Sequence, residues 1–281
     1  GNQTIDIGSS IEVENVKGIN ITSSSNTLTI DGDITVKSSK NSAIGLNIDN
    51  GGNNNNVINM TGNISTISDG ATAMHGIRIG PNSSTNTVNV TGNVSTTGAN
   101  SSGILIIEGG DNNNVTLNGN INTIGGTNAN GIRITGQSSG NLGINNHITV
   151  NGDISTVSSH AIAIEGYAHD SYIEVNGNVQ STNSAGIRLA QDTVNNIVTV
   201  NGNISTSATS ANPTITFNAG ASDNLIIIDG NVTQLANKPA INLRANGANT
   251  PHDNTVSVYG NITSAGAGIR FNNSDNNEIF V

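Results

Sequence analysis

The chain of 281 residues contains no cysteine, no tryptophan, four prolines, and only three tyrosines and three phenylalanines. Without cysteine there is neither a disulfide framework nor a thiolate metal site. Such a chain suits export in an unfolded state through an oxidising compartment. With aromatics at 2% of residues, the rings that usually fill a thick globular core are missing. Nine Lys and Arg against nineteen Asp and Glu leave a net charge of −10, a surface that repels phosphate backbones, so nucleic acid is excluded as a partner. The purely aliphatic runs stop at four residues, as in Leu225 to Ile228, far short of the ~20 needed to span a bilayer as a helix. No cationic amphipathic stretch suits a lipid surface, so direct membrane insertion is not expected. The opening Gly1, without a methionine or a charged-then-apolar leader, leads us to expect a processed or excised piece.

What is present is one phrase, repeated. Val200-Asn201-Gly202-Asn203-Ile204-Ser205-Thr206 has counterparts along the whole chain. A Gly followed by Asn or Asp and then Ile or Val stands at Gly32, Gly62, Gly92, Gly119, Gly152, Gly177, Gly202, Gly230 and Gly260. The eight intervals between Gly32 and Gly260 average 28.5 residues, a period typical of solenoids, in which each unit packs only on its neighbours. No compositional break divides the repeats, which gives a single domain over 1–281.

Three alternating segments recur in each unit. One reads Gly-Ile-x-Ile, as in Gly76-Ile77-Arg78-Ile79; one places aliphatics four and two residues before the repeated Gly, as in Val88 and Val90; one begins two residues after it, as in Ile64. Alternation with period two over four or five β-branched residues specifies short strands with one buried side, and no helical spacing persists anywhere. Strands this short, recurring every ~28 residues, are best wound into rungs whose equivalent strands pair in parallel about 4.8 Å apart. The expected fold is all-β, a right-handed parallel β-helix of about ten rungs with three strands each.

Two polar columns fit that coil. One residue after the repeated Gly stand Asp33, Asn63, Asn93, Asn120, Asp153, Asn178, Asn203, Asn231 and Asn261; six residues before it stand Asn26, Asn56, Asn86, Asn113, Asn146, Ser171, Asn196, Asn224 and Asn254, with Asn277 in the last unit. Gly-Asn between strands is a sharp bend, and stacked bends let each amide bond to the next. Both columns are expected to be structural ladders. At the ends, Ile5 and Ile7 and then Ile279 and Val281 match the strand preceding the Gly; with no capping helix, these edges are expected to pair with another chain.

Catalytic constellations are weak. Asp170, Asp223 and Asp253 share one register position. Asp223 and Asp253, on adjacent rungs, are spaced to share a cation such as Ca²⁺, although carboxylates also favour turns. Arg78, Arg133, Arg188 and Arg270 face outward, with Leu105, Ala163, Thr216 and Asn242 between them. The histidines (His75, His147, His160, His169, His252) read as scattered over different register positions without metal-ligand spacing, and only His169-Asp170 near Tyr172 forms a local cluster. Variable loops after Gly-Ile-x-Ile, among them Gly166-Tyr167-Ala168-His169-Asp170 and Gly247-Ala248-Asn249-Thr250-Pro251-His252-Asp253, form the first candidate recognition edge.

Thr91-Gly92-Asn93-Val94-Ser95-Thr96 and its equivalents resemble the Asn- and Gly-rich passenger regions of bacterial autotransporters and related adhesins. The resemblance is one of pattern and covers nearly the whole chain. It implies a β-helix displayed on the cell surface as a stalk or adhesive rod, and it carries over no catalytic motif. The function expected is a non-enzymatic extracellular rod, a surface adhesin segment or fibre subunit, with itself (head-to-tail) or a host or cell-surface glycan or protein as partner. The alternative is a polysaccharide-binding or polysaccharide-cleaving β-helix, with the Tyr167, Tyr172 and Tyr259 rings available to a lectin.

Overall fold

The computed structural model describes residues 2–6, 10–40, 42–49, 51, 53–138, 142–207, 209–245 and 249–281, the first five as backbone. Among these there is no helix, and the strands assemble into three long parallel sheets of eleven, ten and ten strands. We number the sheets by their order within a rung. The first begins with Asn2–Asp6, the second with Ile11–Glu14 and the third with Ile19–Ile21. Each strand pairs with its own equivalent one rung away. Thr87–Thr91, for example, lies between Val57–Thr61 and Asn114–Asn118 in strict register. The chain is therefore a β-solenoid with three strands per rung and ~28 residues per turn.

The register turns sequence repeats into columns. Ile58, Val88 and Val115 stack in the core, as do Met60, Val90 and Leu117. Each fully buried aliphatic contributes on the order of 1.5–3 kcal/mol, and thin layers of such residues replace the aromatic centre of a globule. The Ile-Ser-Thr phrase now has a reason for each letter. In Ile154–Thr156 the Ile is buried in the core, the Ser is half-exposed, and the Thr is turned inward, its hydroxyl donating to the Ser159 carbonyl at 2.7 Å. Thr66 and Thr123 do the same for Met74 and Ala129, so these three inward threonines satisfy turn carbonyls that the core would otherwise strand, whereas Thr206 meets the Thr214 hydroxyl and the Thr96 hydroxyl finds no partner.

Two sets of glycines are set by close approach. In the Gly-Asn bend, Gly92 has φ +149, and a Cβ there would lie 2.1 Å from the Gly62 carbonyl oxygen of the preceding rung; every rung stacks its bend directly on the last. At the entry to the third sheet, a Cβ on Gly76 would meet Val94 Cγ1 at 2.3 Å, so this glycine makes room for the second-sheet aliphatic of the next rung.

The described parts of the variable loops pair from rung to rung; Gly247 and Ala248 lie outside the described residues. Gly143–Ile144 pairs in parallel with Ala168–His169, and single bridges continue the stack from His169 through Val194, Ser222 and His252 to Asp275.

Candidate functional site: two ladders and a trough

The column six residues before the repeated Gly is a buried ladder. From Asn56 to Asn254 every member is at most 1% exposed. Both the backbone N–H and the side-chain Nδ2 of each Asn donate to the Oδ1 of the next, as from Asn86 to Asn113 at 3.0 and 3.1 Å. The other amide hydrogen reaches a loop carbonyl, Ser83 for Asn113 and Thr193 for Asn224. Asn26 begins the run and Asn277 ends it by accepting from Asn254. At Ser171 the hydroxyl takes the amide's place, accepting from the Asn146 N–H at 3.2 Å, while the Ser171 N–H passes the chain on to Asn196.

The column after the Gly forms a second ladder of opposite polarity. Here the later rung donates backward: Asn63 to Asp33 at 2.6 Å, Asn93 to Asn63, Asn120 to Asn93, Asp153 to Asn120, Asn178 to Asp153, and Asn203, Asn231 and Asn261 onward in turn. All nine side chains are exposed. A third ladder escaped the sequence reading: Asn118, Asn151, Asn176 and Asn201 link through their amides at 2.6–2.7 Å. Its sequence signal is Asn immediately before the Gly in four consecutive rungs.

The end strands lie where the register put them. Ile5 pairs along the backbone with Ile30, while Ile7 lies outside the described residues. At the other end Ile279 is half-buried, and Val281, Phe280 and Phe271 are more than half exposed. Asp223 and Asp253 do sit on adjacent rungs. Both have left-handed backbone (φ 56 and 54), as do Asn55, Asn112 and Asn195 at the same position, which accounts for Asp and Asn there. Asp253 pairs with His252 at 2.8 Å, and among the described residues no group of three His, Cys, Asp or Glu is placed to hold a metal ion. His169 contacts the Asp192 carbonyl and Asp170 accepts from Asn195, so these two side chains are engaged with separate partners.

The histidines occupy several register positions, but two of them coincide: His75, the first residue of a third-sheet strand, and His160, two residues before one, stand at equivalent places. The Nδ1 of each accepts a backbone N–H one rung on, from Ser102 at 3.1 Å and Ala185 at 3.3 Å. Burial, with nearby Arg78 and Arg188 respectively, lowers their pKa from 6.5 to about 3 and about 4. Both are thus neutral acceptors at the corner. His147 packs edge-on against Tyr172, the residue in register one rung later.

The outer face of the third sheet carries a trough. Its walls are the turns at either end of the strands and its floor includes Leu105, Arg133 and Thr135. The larger depression, ≈690 Å³, reaches from Ala73 to Asn249; a second of ≈380 Å³, lined by Lys17, Asp49 and Arg78, joins it at His75, Leu105 and Ile107. Two outward arginines share one carboxylate there: Glu165, 8% exposed, accepts from Arg133 at 2.7 Å and from Arg188 at 2.5 Å. The arginines therefore act as a joined pair across the intervening Ala163, which the sequence alone reads as a spacer. Arg78 donates to Asn47; burial lowers its pKa, against the pull of Asp49 and Glu108.

Comparison with known proteins gives no match: no family model, no curated sequence and no solved structure matches this chain.

Proposed function

We propose that the protein is a non-enzymatic extracellular rod, of the kind that holds a binding surface away from a bacterial cell or builds a fibre. The observation that carries this reading is the pair of ladders running in opposite directions along one uninterrupted stack. Each rung is tied to both neighbours by core columns, strand pairing and side-chain amides together, so a load along the axis meets the same set of ties at each interface between rungs. The pattern-level likeness to autotransporter passengers points the same way and supports surface display.

Pulling the chain from its termini in an atomic force microscope tests the rod. Resistance followed by release of roughly one rung at a time is expected, and a single low-force collapse would refute it. Electron microscopy over a concentration series tests fibre building: the exposed Phe271 and Val281 predict end-to-end growth of this 281-residue chain. Isolated rods at every concentration would remove the fibre reading and leave the stalk.

A further inference from the structure

We infer that the third-sheet trough binds a neutral, linear polysaccharide, lying along the rod axis. This gives the adhesive half of the rod reading a ligand class and a location.

The argument starts from charge. The chain carries −10, yet the charged side chains lining the trough are three cations, Lys17, Arg78 and Arg133, and three anions, Asp49, Glu108 and Asp192; the buried corner histidine beside them is neutral. An acidic polymer would meet the three carboxylates at close range and a cationic one the three basic groups, whereas hydroxyl groups can donate to the first and accept from the second. Gln137, Gln191 and Asn249 add amides along the wall. Apolar groups are interleaved with them: Ile44, Leu105 and Ile107 around the join, Ala73 and Ala219 on the walls, and the half-exposed Tyr167 ring. That mixture suits the alternating hydroxyl and C–H faces of sugar rings.

Shape narrows the class further. The lining runs from Lys17 on the first rung to Asn249 on the ninth, roughly 40 Å at the spacing of paired strands, which matches an extended chain better than a small molecule. An extended peptide would require free backbone groups on the floor, but those peptides already bond to the rungs above and below, so strand addition is closed off. A helical partner would require a continuous apolar stripe, which Arg133 and the Glu165 triad interrupt.

The wall is held in a costly conformation. Tyr167, Gln191 with Asp192, and Ala219, on three successive turns beside the trough, and Glu108 two turns before Tyr167, all have positive φ between 45 and 63. Such backbone in a Tyr or Gln is uncommon, and clusters where side chains are aimed at a task. Here it fixes Tyr167 at the rim without requiring movement on binding.

The test is a printed array of neutral, uronic-acid, sulfated and amino-sugar oligosaccharides, probed with the intact chain and followed by calorimetry on hits. Neutral chains should bind, with affinity rising over lengths from two residues to eight. Tyr167→Gly, which relieves the left-handed backbone, should weaken binding at least tenfold without lowering the thermal midpoint. Gln137→Ala, at an exposed rim position, should weaken it several-fold, while Tyr259→Ala, at an exposed ring outside the trough, should change nothing. Silence across the array, preference for charged glycans, capture of extended peptides instead, or unaltered binding in both trough variants would each overturn the proposal. None of these outcomes touches the force measurement, so failure of the ligand and failure of the rod are separable.

Discussion

Replacing Asn113 by alanine isolates what one buried amide does for the stack. Its Oδ1 accepts from the Asn86 N–H and Nδ2 at 3.0 and 3.1 Å, and its own Nδ2 donates to the Ser83 carbonyl and the Asn146 Oδ1, both at 3.1 Å. Alanine removes all four bonds. Asn146 Oδ1 keeps the donation from the residue 113 backbone N–H, so two backbone groups, the Asn86 N–H and the Ser83 carbonyl, bear most of the loss. Asn86 and Asn113 are at most 1% exposed, and water has no easy route to replace either partner. At ~1–3 kcal/mol for each stranded group, the substitution should destabilise by about 3–5 kcal/mol. Asn113→Ser gives the graded comparison, because Ser171 already shows a hydroxyl accepting the ladder N–H in the same column; it should cost about half as much. Asn203→Ala in the exposed ladder breaks three bonds, two accepted from Asn231 and one donated to Asn178, but solvent replaces them, and the loss should stay near ~0.5–1 kcal/mol. Solenoids can unfold in parts, so the readout is hydrogen exchange at the Asn86 amide alongside the urea midpoint. If Asn113→Ala costs no more than Asn203→Ala, the buried ladder is not the structural tie described above.

Three other perturbations follow from the same geometry. Gly202→Ala places a Cβ 2.3 Å from the Gly177 carbonyl oxygen; because the obstacle is backbone, a loss of about 3 kcal/mol is expected in thermal or urea denaturation, and a neutral result would mean the stacked bends can part. Glu165→Gln takes the shared carboxylate from Arg133 and Arg188; the arginine side chains are 31% and 25% exposed, so solvent screening limits the expected loss to about 1–2 kcal/mol, smaller at high salt in the same assay. His75 and His160 set an acid limit. Both are neutral in the fold down to about pH 3 and 4 respectively, whereas the unfolded imidazoles protonate near 6.5, so stability is intact above pH ~6.5 and falls below it by ~1.4 kcal/mol per unit for each. A His75→Asn, His160→Asn double variant should show a flatter stability profile between pH 6.5 and 4 in urea titrations, and an unchanged slope would refute the assignment.

The parts of this molecule that a sequence exposes are those dictated by period. Val88 and Val90 reveal a strand because alternation has only one geometric meaning, and Gly92-Asn93 reveals a bend because few residues tolerate it. Once a period of ~28 residues is known, parallel stacking follows, and with it both main ladders. What was hidden depends on relations between rungs at positions that do not repeat. Glu165 stands where other rungs have Ile107, Thr135 or Ala190, and nothing local marks it as the partner of two arginines 32 and 23 residues away. The equivalence of His75 and His160 is obscured in the same way, because Ser102 and Asn130 fill the position between them.

The polarity of the ladders is a further consequence of stacking that composition could not reveal. In the buried column donors point toward the C-terminal rungs, and in the exposed column toward the N-terminal ones. Each amide dipole in a stack adds to the next, so a single ladder would accumulate a field along the rod, as aligned peptides do in a helix. Two ladders of opposite sense oppose one another, rung by rung. They also make every interface between rungs directional in two places at once: one face offers Asn277 with its backbone N–H forward and Asn261 with its carbonyl forward, and only a following rung with the complementary acceptor and donor satisfies both. A rung added in the reverse direction would set donor against donor in the buried column. Any continuation of this stack, within a longer chain or onto a second copy, is therefore held to the same direction as the rungs before it.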